Sequence, residues 1–180
     1  MVYRERKTVN SNPLKRAMQN ILILTTGGTI DKVYFDAKST YEVGPPNIDE
    51  VLGELNISVN YRTVSLMRKD SLELTPEDRE LIKQSIIDAE EKQILITHGT
   101  DTMVETGLYL QELSDRTIVL TGALQPALFK TSDALFNIGC ALTAVQIMKP
   151  GCYITMNGQV FDCRKVRKNR EKNRFERTDT

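Results

Sequence analysis

Histidine is nearly missing from this 180-residue chain, which carries only His98, and tryptophan is missing altogether. A single imidazole excludes a histidine-rich metal site and any catalysis that needs two histidines. Cys140, Cys152 and Cys163 are an odd number at wide spacing, with no CxxC pair and no zinc pattern. They read as reduced thiols, with Cys140 and Cys152 in core elements, and no metal or other cofactor is expected. Neither charge is in excess, since 24 lysines and arginines face 24 aspartates and glutamates. That balance argues against a nucleic-acid or membrane partner. No apolar run approaches the roughly 18 residues of a membrane helix. The first twenty residues are polar and lack the apolar stretch of a secretory signal, so the cytoplasm is the expected location. If the chain is an enzyme, hydroxyls, carboxylates and lysine must do the chemistry.

What is present is ordinary for a soluble protein: 40% hydrophobic and 27% charged residues, in a length that suits one domain with a real core. Residues 1–20 read as a leader with weak helical character around 14–18, and 21–180 as a single domain. Short apolar runs at 21–24, 93–97, 117–121 and 151–156 read as buried strands, and the β-branched run 59–66 as another. Residues 25–44 form a long polar connection with aromatics at Tyr34, Phe35 and Tyr41. A short helix is expected over 48–55, with Asn47 as its N-cap. Thr75, Pro76, Glu77 and Asp78 start a helix reaching about 91, with Leu81, Ile82, Ser85, Ile86 and Ala89 inward. Further helices are expected over 102–113 and, capped by Ser132, up to 148 with Leu135, Ile138, Leu142 and Val145 inward. Near-continuous apolar strands alternating with helices predict an α/β fold, a mostly parallel sheet flanked by helices on both faces.

Two motifs lie just past expected strands. Thr25-Thr26-Gly27-Gly28-Thr29-Ile30 follows Ile21-Leu22-Ile23-Leu24, and Thr97-His98-Gly99-Thr100-Asp101-Thr102 follows Ile94-Leu95-Ile96. In an open α/β sheet that edge binds ligands, so two threonine hydroxyls are expected to face one pocket. Gly27 and Gly28 let backbone amides approach an anion or a developing oxyanion; a plain tight turn, or a flavin-phosphate loop, fits them as well. The motif is neither a Walker loop nor GxGxxG. Thr100 and Asp101 either cap the next helix or set a hydroxyl beside a carboxylate. As a nucleophile, threonine needs a base, which here is a lysine or a tyrosine. The tail from 164 to 177 is rich in lysine and arginine, opposed only by Glu171 and Glu176. It is either a solvated segment or one that turns a lysine inward.

Taken together, Thr26–Ile30 and His98–Met103 resemble the bacterial-type L-asparaginase/glutaminase family. Collinear matches are Ser39-Thr40-Tyr41-Glu42-Val43-Gly44, Thr121-Gly122-Ala123-Leu124, Ser132-Asp133 with Phe136-Asn137, and Met156-Asn157 through Val160-Phe161-Asp162 to Arg164, Val166 and Lys168. The resemblance implies the fold of that family's N-terminal domain. It implies hydrolysis of an amino-acid side-chain amide to acid and ammonia through an acyl-enzyme. Thr29 aligns with the nucleophilic threonine and Tyr41 with the tyrosine that contacts it. Thr100 aligns with the second threonine, Asp101 with the aspartate that holds the substrate amino group, and Lys168 with the lysine bonded to that threonine. Ala123 aligns with a backbone position near the leaving amide. His98 is then structural. The family's oligomers imply a homodimer or larger assembly.

Three departures stand out. Family members run to about twice this length, with a second domain that is expected to be absent here. Arg68-Lys69-Asp70-Ser71 replaces a serine and a glutamine or glutamate before the aspartate, which puts Lys69, Asp70 and Ser71 among the expected substrate contacts; Arg68 and Lys69 either bind a carboxylate or point to solvent. Gln125 stands where the family has arginine. Two classes therefore follow: a small amidohydrolase acting on asparagine or a related amide, and a non-catalytic amino-acid-binding or regulatory relative.

Overall fold

The computed structural model describes residues 20–35 and 40–178; the leader with its expected helical character at 14–18, and Ser39, lie outside them. A six-stranded sheet has the order β4-β1-β5-β6-β7-β8. Its strands are β1 (Ile21–Gly27), β4 (Tyr61–Lys69), β5 (Gln93–Thr97), β6 (Thr117–Thr121), β7 (Gly151–Met156) and β8 (Gln159–Asp162). All neighbours pair in parallel except β8, which runs antiparallel to β7. The central strands are buried on both faces, which is why they read as unbroken apolar runs.

Alternate residues feed two cores. Leu22, Leu24, Ile94, Ile96, Ile118, Leu120 and Ile154 pack under α2 (Pro76–Ile87) and α3 (Met103–Leu110). Ile21, Ile23, Leu95 and Val119 pack under α1 (Ile48–Gly53) and α4 (Ala134–Ile147). This two-residue period is the pleat of the strand. Combined with the strand order, it gives the β6–α4–β7 crossover the opposite hand to the other three, an exception to the usual uniform handedness. Its consequence is local: the start of α4 lies beside the turn that leaves β6.

The helix starts follow cap chemistry. The Thr75 hydroxyl accepts from Asp78 N–H (3.3 Å), and the Asp78 carboxylate accepts from Thr75 N–H (2.9 Å). The helix stops at Ile87, short of the expected 91, and Leu81 is exposed because only the narrow Ile82/Ile86 stripe meets the sheet. Leu135 is likewise outward, because α4 presents Ala134, Asn137, Ile138, Ala141 and Val145 inward. The N-cap of α4 is Asp133, without a side-chain cap bond, and not the expected Ser132, whose Oγ accepts from Ala134 N–H (3.1 Å) and donates to Gln125 O (3.0 Å) in the turn before the helix. Asn47 makes no side-chain cap; its own N–H instead donates to the Asp31 carboxylate (2.9 Å).

Of three hairpins, only β7 was expected as a strand; its partner and both strands of the other two were not. Within the supposed polar connection, β2 (Lys32–Phe35) pairs antiparallel with β3 (Thr40–Val43). β7 turns into β8 through Asn157 (φ 53°) and Gly158 (φ 77°), the left-handed pair that a tight hairpin turn demands. The basic tail forms β9 (Val166–Asn169) and β10 (Arg174–Arg177), anchored by buried Val166 and Phe175.

Candidate active site

β1 lies between β4 and β5, so the chain first crosses to one side of β1 and then returns to the other. Such a reversal opens a crevice beyond the carboxyl ends of the two central strands. Both threonine motifs end there. They touch: a Cβ placed on Gly28 would sit 2.5 Å from Gly99 Cα, so the backbones approach to a distance only glycine permits. Gly28 also holds φ 91°, in the region that favours glycine. Thr26 Oγ1 donates to Thr97 O (3.0 Å), tying the strand ends together just below.

Thr29 opens a 3-10 turn, Thr29–Asp31, and is half-buried. The turn is pinned on several sides. Gly28 N–H donates to Lys69 O (2.9 Å), Gly44 N–H to Asp31 O (2.8 Å) and Ala127 N–H to Ile30 O (3.1 Å). Burial pushes the Asp31 carboxyl up to about 6, against the Asn47 N–H and the nearby Arg68 charge, which both favour the carboxylate.

On the other motif, Lys168 Nζ donates to Thr100 Oγ1 (2.7 Å) and to Asp101 Oδ1 (2.8 Å). Thr100 is buried and the Lys168 side chain is only 10% exposed, so this contact is shielded from water. The tail therefore does turn a lysine inward. Ser71 lies beneath: its Oγ accepts from Asp101 N–H (3.3 Å) and its carbonyl accepts from the Thr102 hydroxyl (2.7 Å).

Ala123, just past β6, is buried in the core under α1 and α4. The Asp133 carboxylate accepts from the N–H groups of Leu124 (3.0 Å) and Gln125 (3.1 Å), and Asn137 Nδ2 donates to Gly122 O (3.0 Å). Asp133, which precedes α4, and Asn137 in its first turn are four residues apart and bond each other (2.8 Å). The sequence reading matched these residues without seeing their task; their i, i+4 spacing was the available signal.

Other expected residues are engaged elsewhere. Lys69 Nζ is held by both carboxylate oxygens of Asp78 (2.8 and 2.7 Å). The Asp70 carboxylate pairs with Lys32 Nζ (2.9 Å) and caps Leu72 N–H (3.2 Å). Tyr41 is half-exposed and packs edge-on against Tyr34 (5.4 Å) and Phe129 (5.9 Å). Arg68 is exposed. Arg170, unremarked in the sequence, brings Nε to 3.9 Å from Asp101 Oδ1. Among the described residues no group of three histidine, cysteine or acidic side chains is placed to hold a metal ion, and no helix is long and apolar enough to cross a membrane.

Comparison with known proteins finds relatives over most of the chain. The family model described as Asparaginase, N-terminal matches residues 20–176. A probable periplasmic L-asparaginase of Haemophilus influenzae is 31% identical over 163 residues, covering 84% of this chain and 46% of that protein. The thermostable L-asparaginase of Thermococcus kodakarensis superposes with a TM-score of 0.78 at 28% identity, covering 88% of this chain and 51% of that one. A probable cytoplasmic L-asparaginase of Campylobacter jejuni superposes with a TM-score of 0.66 at 26% identity, covering 83% of this chain and 48% of the other. The chain spans about half the length of the curated relatives it matches. By the match of nearly its whole described length, the chain belongs to the asparaginase N-terminal domain family.

Proposed function

We propose that this site hydrolyses the side-chain amide of asparagine, or of a related small amide, to the acid and ammonia. The observation that carries the reading is Lys168 Nζ, 2.7 Å from Thr100 Oγ1 and 2.8 Å from Asp101 Oδ1. The lysine gives its protons to both oxygens, so the Thr100 hydroxyl proton is free to point into the crevice. The two bonds from the adjacent ammonium fix the Thr100 hydroxyl in place to orient a water. Thr29, on the facing turn, is the hydroxyl we assign to attack on the amide carbon. The new C–O bond replaces the C–N bond, the departing nitrogen takes the proton, and ammonia leaves an acyl-enzyme. Water oriented by Thr100 then cleaves that ester and returns the proton to Thr29. Asp101 is assigned to the substrate amino group, the Ala123 backbone to the leaving amide, and Tyr41 to the rim beside Thr29. Lys69 is paired with Asp78, Asp70 with Lys32, and the Ser71 hydroxyl accepts from Asp101 N–H, so we assign these three to holding the turns rather than to contacting the substrate freely.

The relatives named above are described as L-asparaginases, which supports this substrate class. The test is ammonia release from a panel of amides. Turnover in the wild type should fall by about 100-fold or more in Thr100→Val and in Lys168→Met. Thermal stabilisation by aspartate with no ammonia from any amide would instead establish a binding protein. We also assign the chain to the cytoplasm and to a homodimer or larger assembly; cell fractionation and sedimentation velocity at micromolar concentration check both.

A further inference from the structure

His98 is fully buried, carries no role in the chemistry above, and is bonded through both ring nitrogens. Nδ1 lies 2.7 Å from Gly99 O, and Nε2 lies 2.9 Å from Thr106 Oγ1. A carbonyl only accepts, so Nδ1 must carry the proton. Thr106 Oγ1 in turn accepts from Arg79 Nε (3.2 Å), which leaves its own hydrogen for Nε2. Every donor then has one acceptor along the line Arg79, Thr106, His98, Gly99. Arg79 is itself fixed by Leu74 O (3.3 Å) and Glu105 Oε2 (3.1 Å). The His98 N–H donates to Thr121 O (2.8 Å), so the backbone of the ring's residue is held by β6 as well.

We propose that His98 is a positioning residue: locked as the neutral Nδ1–H form by Thr106 and Arg79, it fixes the Gly99 carbonyl and thereby the peptide that delivers Thr100 to Lys168. Gly99 has no side chain of its own to pin it, and its Cα packs against both Gly28 and Ser71, so a small rotation of its peptide moves Thr100. Burial and the Arg79 charge both oppose protonation, lowering the imidazole to about 4. The ring therefore keeps its acceptor nitrogen for Thr106 across neutral pH. Its function is to hold geometry, and it exchanges no proton with substrate.

The proposal rests on the amidohydrolase reading only in its kinetic arm. Because His98 is the sole histidine, a long-range nitrogen-15 spectrum of the full chain reads one imidazole directly. The expected spectrum is a neutral Nδ1–H ring from pH 8 to pH 5; an Nε2–H ring, or an imidazolium at pH 6, overturns the proposal. In the kinetic arm, His98→Asn places an amide nitrogen where Nδ1 stood, whereas His98→Gln reaches only toward Thr106. kcat should be about tenfold lower in His98→Gln than in His98→Asn, with KM changed less. Thr106→Val should likewise lower kcat, and Thr106→Ser should restore it. Equal kcat in His98→Gln and His98→Asn, both folded by thermal melt, overturns the proposal. If no amide yields ammonia, the functional reading fails by itself. Amide exchange of Gly99, Thr100 and Asp101 then decides: faster exchange in Thr106→Val than in Thr106→Ser supports positioning, and equal exchange overturns it.

Discussion

At the scale of single residues, two buried titratable groups set opposing pH dependences. The Asp31 carboxyl is raised to about 6 by burial. Its folded form holds a proton that the unfolded chain loses near 4, so its contribution to stability is present below pH ~4 and lost as pH rises through 6. The His98 imidazole is lowered to about 4. The unfolded chain there binds a proton near 6.5 that the folded ring refuses, so its contribution is present above pH ~6.5 and lost as pH falls through 4. Each shift corresponds to about 3 kcal/mol, and between pH 4 and 6 they nearly cancel. Asp31→Asn keeps an acceptor for the Asn47 N–H and removes the titration. We expect this variant to be more stable than wild type at pH 7, by roughly 1–3 kcal/mol. It should also lose stability more steeply than wild type on acidification from pH 6.5 to 4. Urea midpoints across that range measure both; parallel profiles for the two proteins would show that the Asp31 carboxyl is not perturbed.

Among the elements, the site is made by strand ends and not by the strands themselves. β1 and β5 were readable because both of their faces are apolar, and the glycines after them because a close approach needs them. Gly28→Ala tests that approach. Its Cβ would meet Gly99 N and Cα at 2.5 Å, against backbone that cannot swing aside, at a φ of 91° that disfavours any side chain. We expect a loss of roughly 2–4 kcal/mol and of ammonia release, read by urea denaturation and by assay. Retained activity with a shifted midpoint would mean that the two motifs need not touch. The helix-bearing crossovers could also be anticipated, because caps such as Thr75 with Asp78 are local chemistry. The hairpins could not. The β2–β3 and β9–β10 ribbons have four residues per strand with charged and apolar residues mixed, so no clean apolar alternation marks them, and the four-residue β8 was not expected beyond β7. The ion pairs that take up Lys69 and Asp70 were hidden for a different reason. Asp78 is nine residues from Lys69, and Lys32 comes from another sheet, so only the folded arrangement reveals the competition.

For the whole molecule, the decisive contact spans 68 residues, from Thr100 at the end of β5 to Lys168 in β9. No local pattern in the sequence fixes such a distance; the resemblance to a family pointed to Lys168, and the fold supplies the reason that it arrives. β9 and β10 stand outside the main sheet as a two-stranded ribbon, a unit that is marginal by itself. The ribbon is fastened by Val166 and Phe175, both packed in the core shared by α2 and α3. Phe175 pairs directly across from Lys168, so both side chains leave the same face of the ribbon. The core thus sets the height of the lysine above Thr100. Phe175→Ala should cost roughly 3–5 kcal/mol at the ribbon, as buried aromatic truncations do, while β1, β5 and β6 keep their own packing. Amide exchange should therefore accelerate across residues 166–177 far more than across β5, and kcat should fall toward that of Lys168→Met in protein that still melts cooperatively. Uniform acceleration through the sheet would show instead that the ribbon and the sheet open as one unit, and that the position of Lys168 is secured by global stability rather than by this single anchor.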